Sequence, residues 1–69
     1  MKFNLGDVVK IAREELFMSG CYGTIIGAIK ETREYIVGFY MVDDDGVETL
    51  YDEFFYYENE LELKKWILI

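Results

Sequence analysis

With 69 residues, 52% of them hydrophobic and 17% aromatic, the chain holds one domain and is too rich in aromatic and β-branched side chains to remain disordered. Its formal net charge of −7 argues against direct attachment to phosphate backbones, which lysine and arginine drive. No histidine is present to act as general base or metal ligand, and a single cysteine excludes an internal disulfide.

A domain of this size buries only about 60% of its unfolded surface, so a stability of roughly 3–10 kcal/mol is expected. The lone thiol favours a reducing compartment, with the cytoplasm as the default. No apolar run follows a basic start, so no signal peptide is expected, and no window reaches membrane-spanning length.

Residues 1–7 lead in, with Gly6-Asp7 as a turn signal. Residues 8–12, VVKIA, read as a first strand with Val9 and Ile11 on one face. Residues 13–20, REELFMSG, lack a clean period of two and predict a long surface loop that folds Leu16 and Phe17 back onto the core.

The next stretch organises the chain. Residues 23–29, GTIIGAI, and 35–42, YIVGFYMV, are strand-like runs joined by the polar loop KETRE. Setting Ile25, Gly27 and Ile29 against Phe39, Val37 and Tyr35 gives a continuous apolar face, although the opposite face is also fairly apolar and leaves the register open. Gly27 and Gly38 inside the strands mark bulges or a barrel corner.

Asp44-Asp45-Gly46 suits a three-residue hairpin loop with glycine in the left-handed position. Residues 47–51, VETLY, form the next strand, and residues 52–57, DEFFYY, a tight helical turn carrying Phe54 and Phe55 inward. In residues 58–63, ENELEL, Leu61 and Leu63 point one way and Glu58, Glu60 and Glu62 the other. The domain is expected to span residues 1–63, with an apolar extension at 64–69.

The fold expected is all-β: a small five-stranded barrel with a short helical turn before the last strand. Its order of elements resembles a Src-homology-3-like barrel. GDVVKI at 6–11, G-x-x-G-x-I at 20–25, Y-x-V-x-F at 35–39 and ELEL at 60–63 resemble the opening of KOW-type domains. They bear a weaker likeness to a small barrel protein of photosystem I. The KOW-type resemblance implies an accessory module of a ribosomal or transcription assembly. The photosystem resemblance implies docking of an electron carrier. The basic loops that KOW-type RNA contacts use are missing here.

Chemistry finds little support. Cys21 has no base or cationic neighbour in sequence, so a small inert core residue is expected. Placing Gly46 at the sixth position of a calcium loop puts Met41 at the first and Asp52 at the twelfth, so Asp43-Asp44-Asp45 reads as a solvated turn. Neither metal nor cofactor is expected. The aromatics Tyr22, Tyr40, Tyr51, Phe54, Phe55, Tyr56 and Tyr57 fit either a shallow groove, as in domains that bind proline-rich peptides or methylated lysine, or the core and rim of a small barrel; the second is favoured.

Charge distribution carries the functional expectation. Residues 1–42 are neutral overall, with five bases and five acids, whereas residues 43–62 hold nine acids and no base. Those nine, Asp43, Asp44, Asp45, Glu48, Asp52, Glu53, Glu58, Glu60 and Glu62, are the expected partner-binding set. With Glu58, Glu60 and Glu62 about 7 Å apart along one strand, the carboxylates would imitate phosphates on a rigid sheet. The expectation is a non-enzymatic, acidic regulator or inhibitor that docks on a basic, nucleic-acid-binding surface of a partner protein, without membrane or direct nucleic-acid binding. Trp66, Ile67, Leu68 and Ile69 are left without a place in the barrel; they either fold back as an added edge strand or, the reading preferred, form the contact of a homodimer.

Overall fold

A computed structural model describes residues 2–64. They form five strands: β1 (Val8–Ile11), β2 (Tyr22–Ile29), β3 (Glu34–Val42), β4 (Glu48–Tyr57) and β5 (Leu61–Leu63), with a 3₁₀ turn (Glu58–Glu60) before the last. All belong to one antiparallel sheet in the order β4-β3-β2-β1-β5. The all-β class, the strand count and a short helical turn before the last strand follow the expectation. Closure does not: β4 and β5 lie at opposite ends of the strand order, and the sheet stays open.

β1 alternates as its sequence dictates, with Val9 and Ile11 fully buried. Ile25, Tyr35, Val37, Phe39, Tyr56 and Leu61 complete the inner face, and Phe3 closes it from the chain start. The Phe3 N–H donates to the Tyr35 hydroxyl oxygen at 3.0 Å, and the two rings meet edge to face at 5.2 Å. A buried tyrosine oxygen and a buried backbone donor thus satisfy each other.

The register of the central hairpin differs from the one set out above. Ile25 pairs with Val37 rather than Phe39, Gly27 with Ile36 rather than Val37, and Ile29 with Glu34 rather than Tyr35. The loop is therefore four residues, 30–33, and ends on Arg33 at φ 62°. A bulge between Ile25 and Gly27 inserts Ile26, so the glycine does mark the irregularity that bends β2.

Residues 52–57 are the clearest correction. They are strand, not helical turn: Phe54 and Tyr56 pair with Val37 and Tyr35 and turn inward, while Phe55 pairs with Ile36 and is exposed. The long partner β3 offers a ladder to the whole run, and six residues rich in aromatics take it. A second bulge, at Tyr51, separates the pairs Phe39–Asp52 and Tyr40–Leu50.

The one-turn helix lies a step later because the Glu60 carboxylate accepts the Tyr57 N–H at 2.7 Å. That removes Glu58 and Glu60 from the last strand, and Leu63 is partly exposed rather than paired inward with Leu61. In the loop of residues 12–21, Leu16 and Met18 pack on the core while Phe17 is 71% exposed, so Met18 takes the place assigned to Phe17. Cys21, expected inside, is exposed at the margin where this loop rejoins the sheet. The dimer contact assigned to Trp66, Ile67, Leu68 and Ile69 lies outside the described residues.

Of the glycines inside the strands, Gly23 is the most tightly approached. A Cβ there would overlap Val37 Cγ1 outright and sit 3.0 Å from the Gly38 carbonyl oxygen, whereas a Cβ at Gly27 would meet only the tip of Ile36, at 3.1 Å. Gly23→Ala is therefore expected to cost about 1–3 kcal/mol by overpacking, and Gly27→Ala less. Urea unfolding of the two variants checks the order; equal losses would mean that the approach of β2 to Val37 is not the tight point.

Candidate functional site

Residues 40–53 are exposed without interruption. They form the end of the β3–β4 hairpin, which runs on past the core as a two-stranded ribbon. Its turn forms as the sequence predicts. Gly46 has φ 78°, its N–H donates to the Asp43 carbonyl at 3.0 Å, and the Asp43 N–H donates to the Val47 carbonyl at 3.1 Å. The Asp43 carboxylate accepts the N–H groups of Asp45 and Val47, both at 2.9 Å. Asp43 therefore holds the turn, in an Asx arrangement.

The structure divides the nine expected acids. Six lie on the ribbon or its adjoining edge: Asp43, Asp44, Asp45, Glu48, Asp52 and Glu53. Asp52 accepts the backbone N–H of Glu53 at 2.9 Å beside the bulge, so it too has a structural duty. The ladder of Glu58, Glu60 and Glu62 does not exist. Glu58 and Glu60 belong to the 3₁₀ turn, Glu60 caps it, and only Glu62 stands on β5, opposite Lys10. The described residues contain no group of three or more His, Cys, Asp or Glu side chains placed to hold a metal ion.

The aromatics also fall differently from the favoured core reading. Tyr56 is buried and Phe54 half-buried, but Tyr22, Tyr40, Tyr51, Phe55 and Tyr57 are exposed. On the ribbon, Tyr40, Met41, Val42, Val47, Leu50 and Tyr51 add an exposed apolar surface among the acids. Pairing places Tyr40 opposite Leu50 and Val42 opposite Glu48 on one face, and Met41 opposite Thr49 on the other. A small recess of about 260 Å³ lies between Met41, Val42, Asp43, Thr49 and Tyr51. These residues were missed as a site because strand-forming aromatics and aliphatics read as core. What marks them is apolar character on both faces of a strand that has no second layer to cover it.

A groove of about 380 Å³ lies on the sheet face opposite the core, lined by Val8, Tyr22, Gly23, Thr24, Gly38, Tyr40 and Glu48. The Lys64 ammonium sits 4.6 Å from the Tyr22 ring centroid, and both residues line a neighbouring recess.

No helix among the described residues is long and apolar enough to cross a membrane. No family model, curated protein or solved structure matches the chain.

Tyr56 donates its hydroxyl to the Phe17 carbonyl at 2.9 Å, and its pKa is raised above 10.0, first by burial and then by the charges of Glu60 and Cys21. The folded state thus favours the neutral phenol. Its stabilising contribution is complete below pH 10 and is lost as the pH rises through the raised value. Urea unfolding between about pH 8 and about pH 11.5 is expected to show a steeper alkaline loss for the native chain than for Tyr56→Phe; parallel curves would remove Tyr56 as the cause.

Proposed function

We propose that the chain is a non-enzymatic protein-binding module whose acidic β3–β4 ribbon docks on a basic surface of a partner protein, regulating or blocking a surface that would otherwise meet nucleic acid. The observation that carries this reading is the exposed ribbon itself, where apolar side chains lie between the acidic turn and Asp52-Glu53 over residues 40–53. The acids supply long-range steering and reject nucleic acid, while the apolar side chains supply area that excludes water once contact is made. A merely solubilising charge run would not be interleaved with Tyr40, Val42, Leu50 and Tyr51 on an extended hairpin. Neither role needs a metal or cofactor, and the cytoplasm suits a chain with an exposed free thiol.

The test neutralises three of the acids that have no backbone duty, in the variant Asp44→Asn, Asp45→Asn, Glu53→Gln, and leaves Asp43, Glu48 and Asp52 in place. Exposed positions of this kind contribute little to stability, so the fold is expected to persist. Association with a basic partner recovered from the host should slow by about tenfold or more at low salt and lose most of its salt dependence. An unchanged on-rate would overturn docking through the ribbon. Low-micromolar binding of the native chain to DNA or RNA at ~150 mM salt, where surface charges are screened beyond ~8 Å, would favour the KOW-type accessory module instead.

A further inference from the structure

We infer that the groove between Tyr22 and Tyr40 is a receptor for one arginine side chain of the docked partner, with Glu48 as its counter-charge. The inference rests on the docking reading above and names the chemistry of one contact within it.

The groove lies where the ladder between β2 and β3 ends. Thr24 pairs with Gly38, and continuing that register would set Tyr22 against Tyr40. The ladder between β2 and β3 stops at Thr24, whereas β2 pairs with β1 on as far as Tyr22 and β3 pairs with β4 on as far as Val42. The strands part there, and both tyrosines line the opening. Gly38 faces the same side as Thr24 and puts no side chain into the space; a Cβ there would already lie 3.1 Å from the tips of Ile26 and Leu50. Tyr22 and Tyr40 are 51% and 42% exposed, so their ring surfaces are accessible to a ligand.

Three features select a cation. Aromatic faces attract positive charge, and the Tyr22 ring already accepts the Lys64 ammonium from the neighbouring recess. Glu48 places a carboxylate in the lining, next along β4 from the acidic turn. The chain's net charge of −7 raises the local concentration of basic partners and repels phosphates, which makes a stacked nucleobase the wrong occupant. Arginine is selected over lysine by shape. Its planar guanidinium stacks on a ring while its fork meets a carboxylate, and its apolar stem suits contact with Val8.

The experiment titrates the full ¹⁵N-labelled chain with the capped peptides acetyl-Gly-Arg-Gly-amide and acetyl-Gly-citrulline-Gly-amide, which differ in charge but hardly in shape. The arginine peptide should give saturable shifts centred on Gly23, Thr24, Gly38 and Tyr40, and the citrulline peptide none. Tyr40→Leu and Glu48→Gln should each weaken binding by about two- to fivefold, while Tyr40→Phe, which keeps the ring, should not. Equal binding of citrulline, or unsaturating shifts spread over all the acids, would overturn the arginine site. If the native chain ignores the arginine peptide while the Asp44, Asp45 and Glu53 variant still loses its partner, the groove is rejected and the docking ribbon stands. If the arginine peptide saturates the groove while that variant keeps its partner, the ribbon is rejected and the cation site stands.

Discussion

Among the described residues no second layer covers the inner face of the sheet, so the sheet itself bends over it, and the tightest of its glycine contacts is that of Gly23 with Val37. Val37 Cγ1 occupies space that any Cβ at position 23 would need. With no side chain in the way, β2 lies close against Val37 while it pairs with β1 along one edge and β3 along the other, over the core of Val9, Ile11, Ile25 and Phe39. The remaining openings are closed by segments tied down through tyrosines. Tyr35 accepts a hydrogen bond from Phe3, and Tyr56 donates one to Phe17, so each hydroxyl links a loop or lead segment to a strand while its ring fills the core. No buried side-chain nitrogen or oxygen among the described residues lacks a partner. In so small a core, an unmatched polar group would cost about 1–3 kcal/mol, a large share of the total.

The end of the β2–β3 ladder borders both candidate binding features. Beyond the Thr24–Gly38 pair, β2 stays with β1 and β3 with β4; the tyrosine groove lies at that point, and the β3–β4 ribbon runs on from it. An unsupported two-stranded ribbon with apolar side chains on both faces is a poor structure in water by itself. It persists here because its turn is tightly specified by Asp43 and Gly46, and because its base continues into β3 and β4 strands that do contact the core.

Much of the fold was legible because it rests on alternation and turn chemistry. Val9 and Ile11, the inward set Ile25, Val37 and Phe39, and the Asp44-Asp45-Gly46 loop all follow from local pattern. The register was not legible. Ile26 and Ile36 are apolar on the face opposite the core, so hydrophobicity does not choose between pairings, and the choice is made by a bulge and by the left-handed Arg33. Residues 52–57 misled because their outward aromatics, Phe55 and Tyr57, look like core when the partner strand is unknown. The acidic half was visible as composition, but its division between structural and free carboxylates depends on hydrogen bonds that sequence spacing does not reveal.

That division sharpens what the acids can do. Asp43, Asp52 and Glu60 each accept backbone N–H groups, so their placement is explained by the turn, the bulge and the 3₁₀ turn without reference to a partner. Asp44, Asp45, Glu48 and Glu53 have no such duty and share one hairpin and its edge. Edge strands commonly carry charge to prevent pairing with copies of themselves, and four like charges along β4 and its turn oppose the approach of a second β4. They do not oppose a basic chain. The edge is therefore selective by sign: it rejects its own copy by repulsion while the apolar side chains between the acids remain available to a surface of opposite charge. Solubility and partner choice, usually set against each other as explanations of an acidic run, are on this ribbon two consequences of one arrangement.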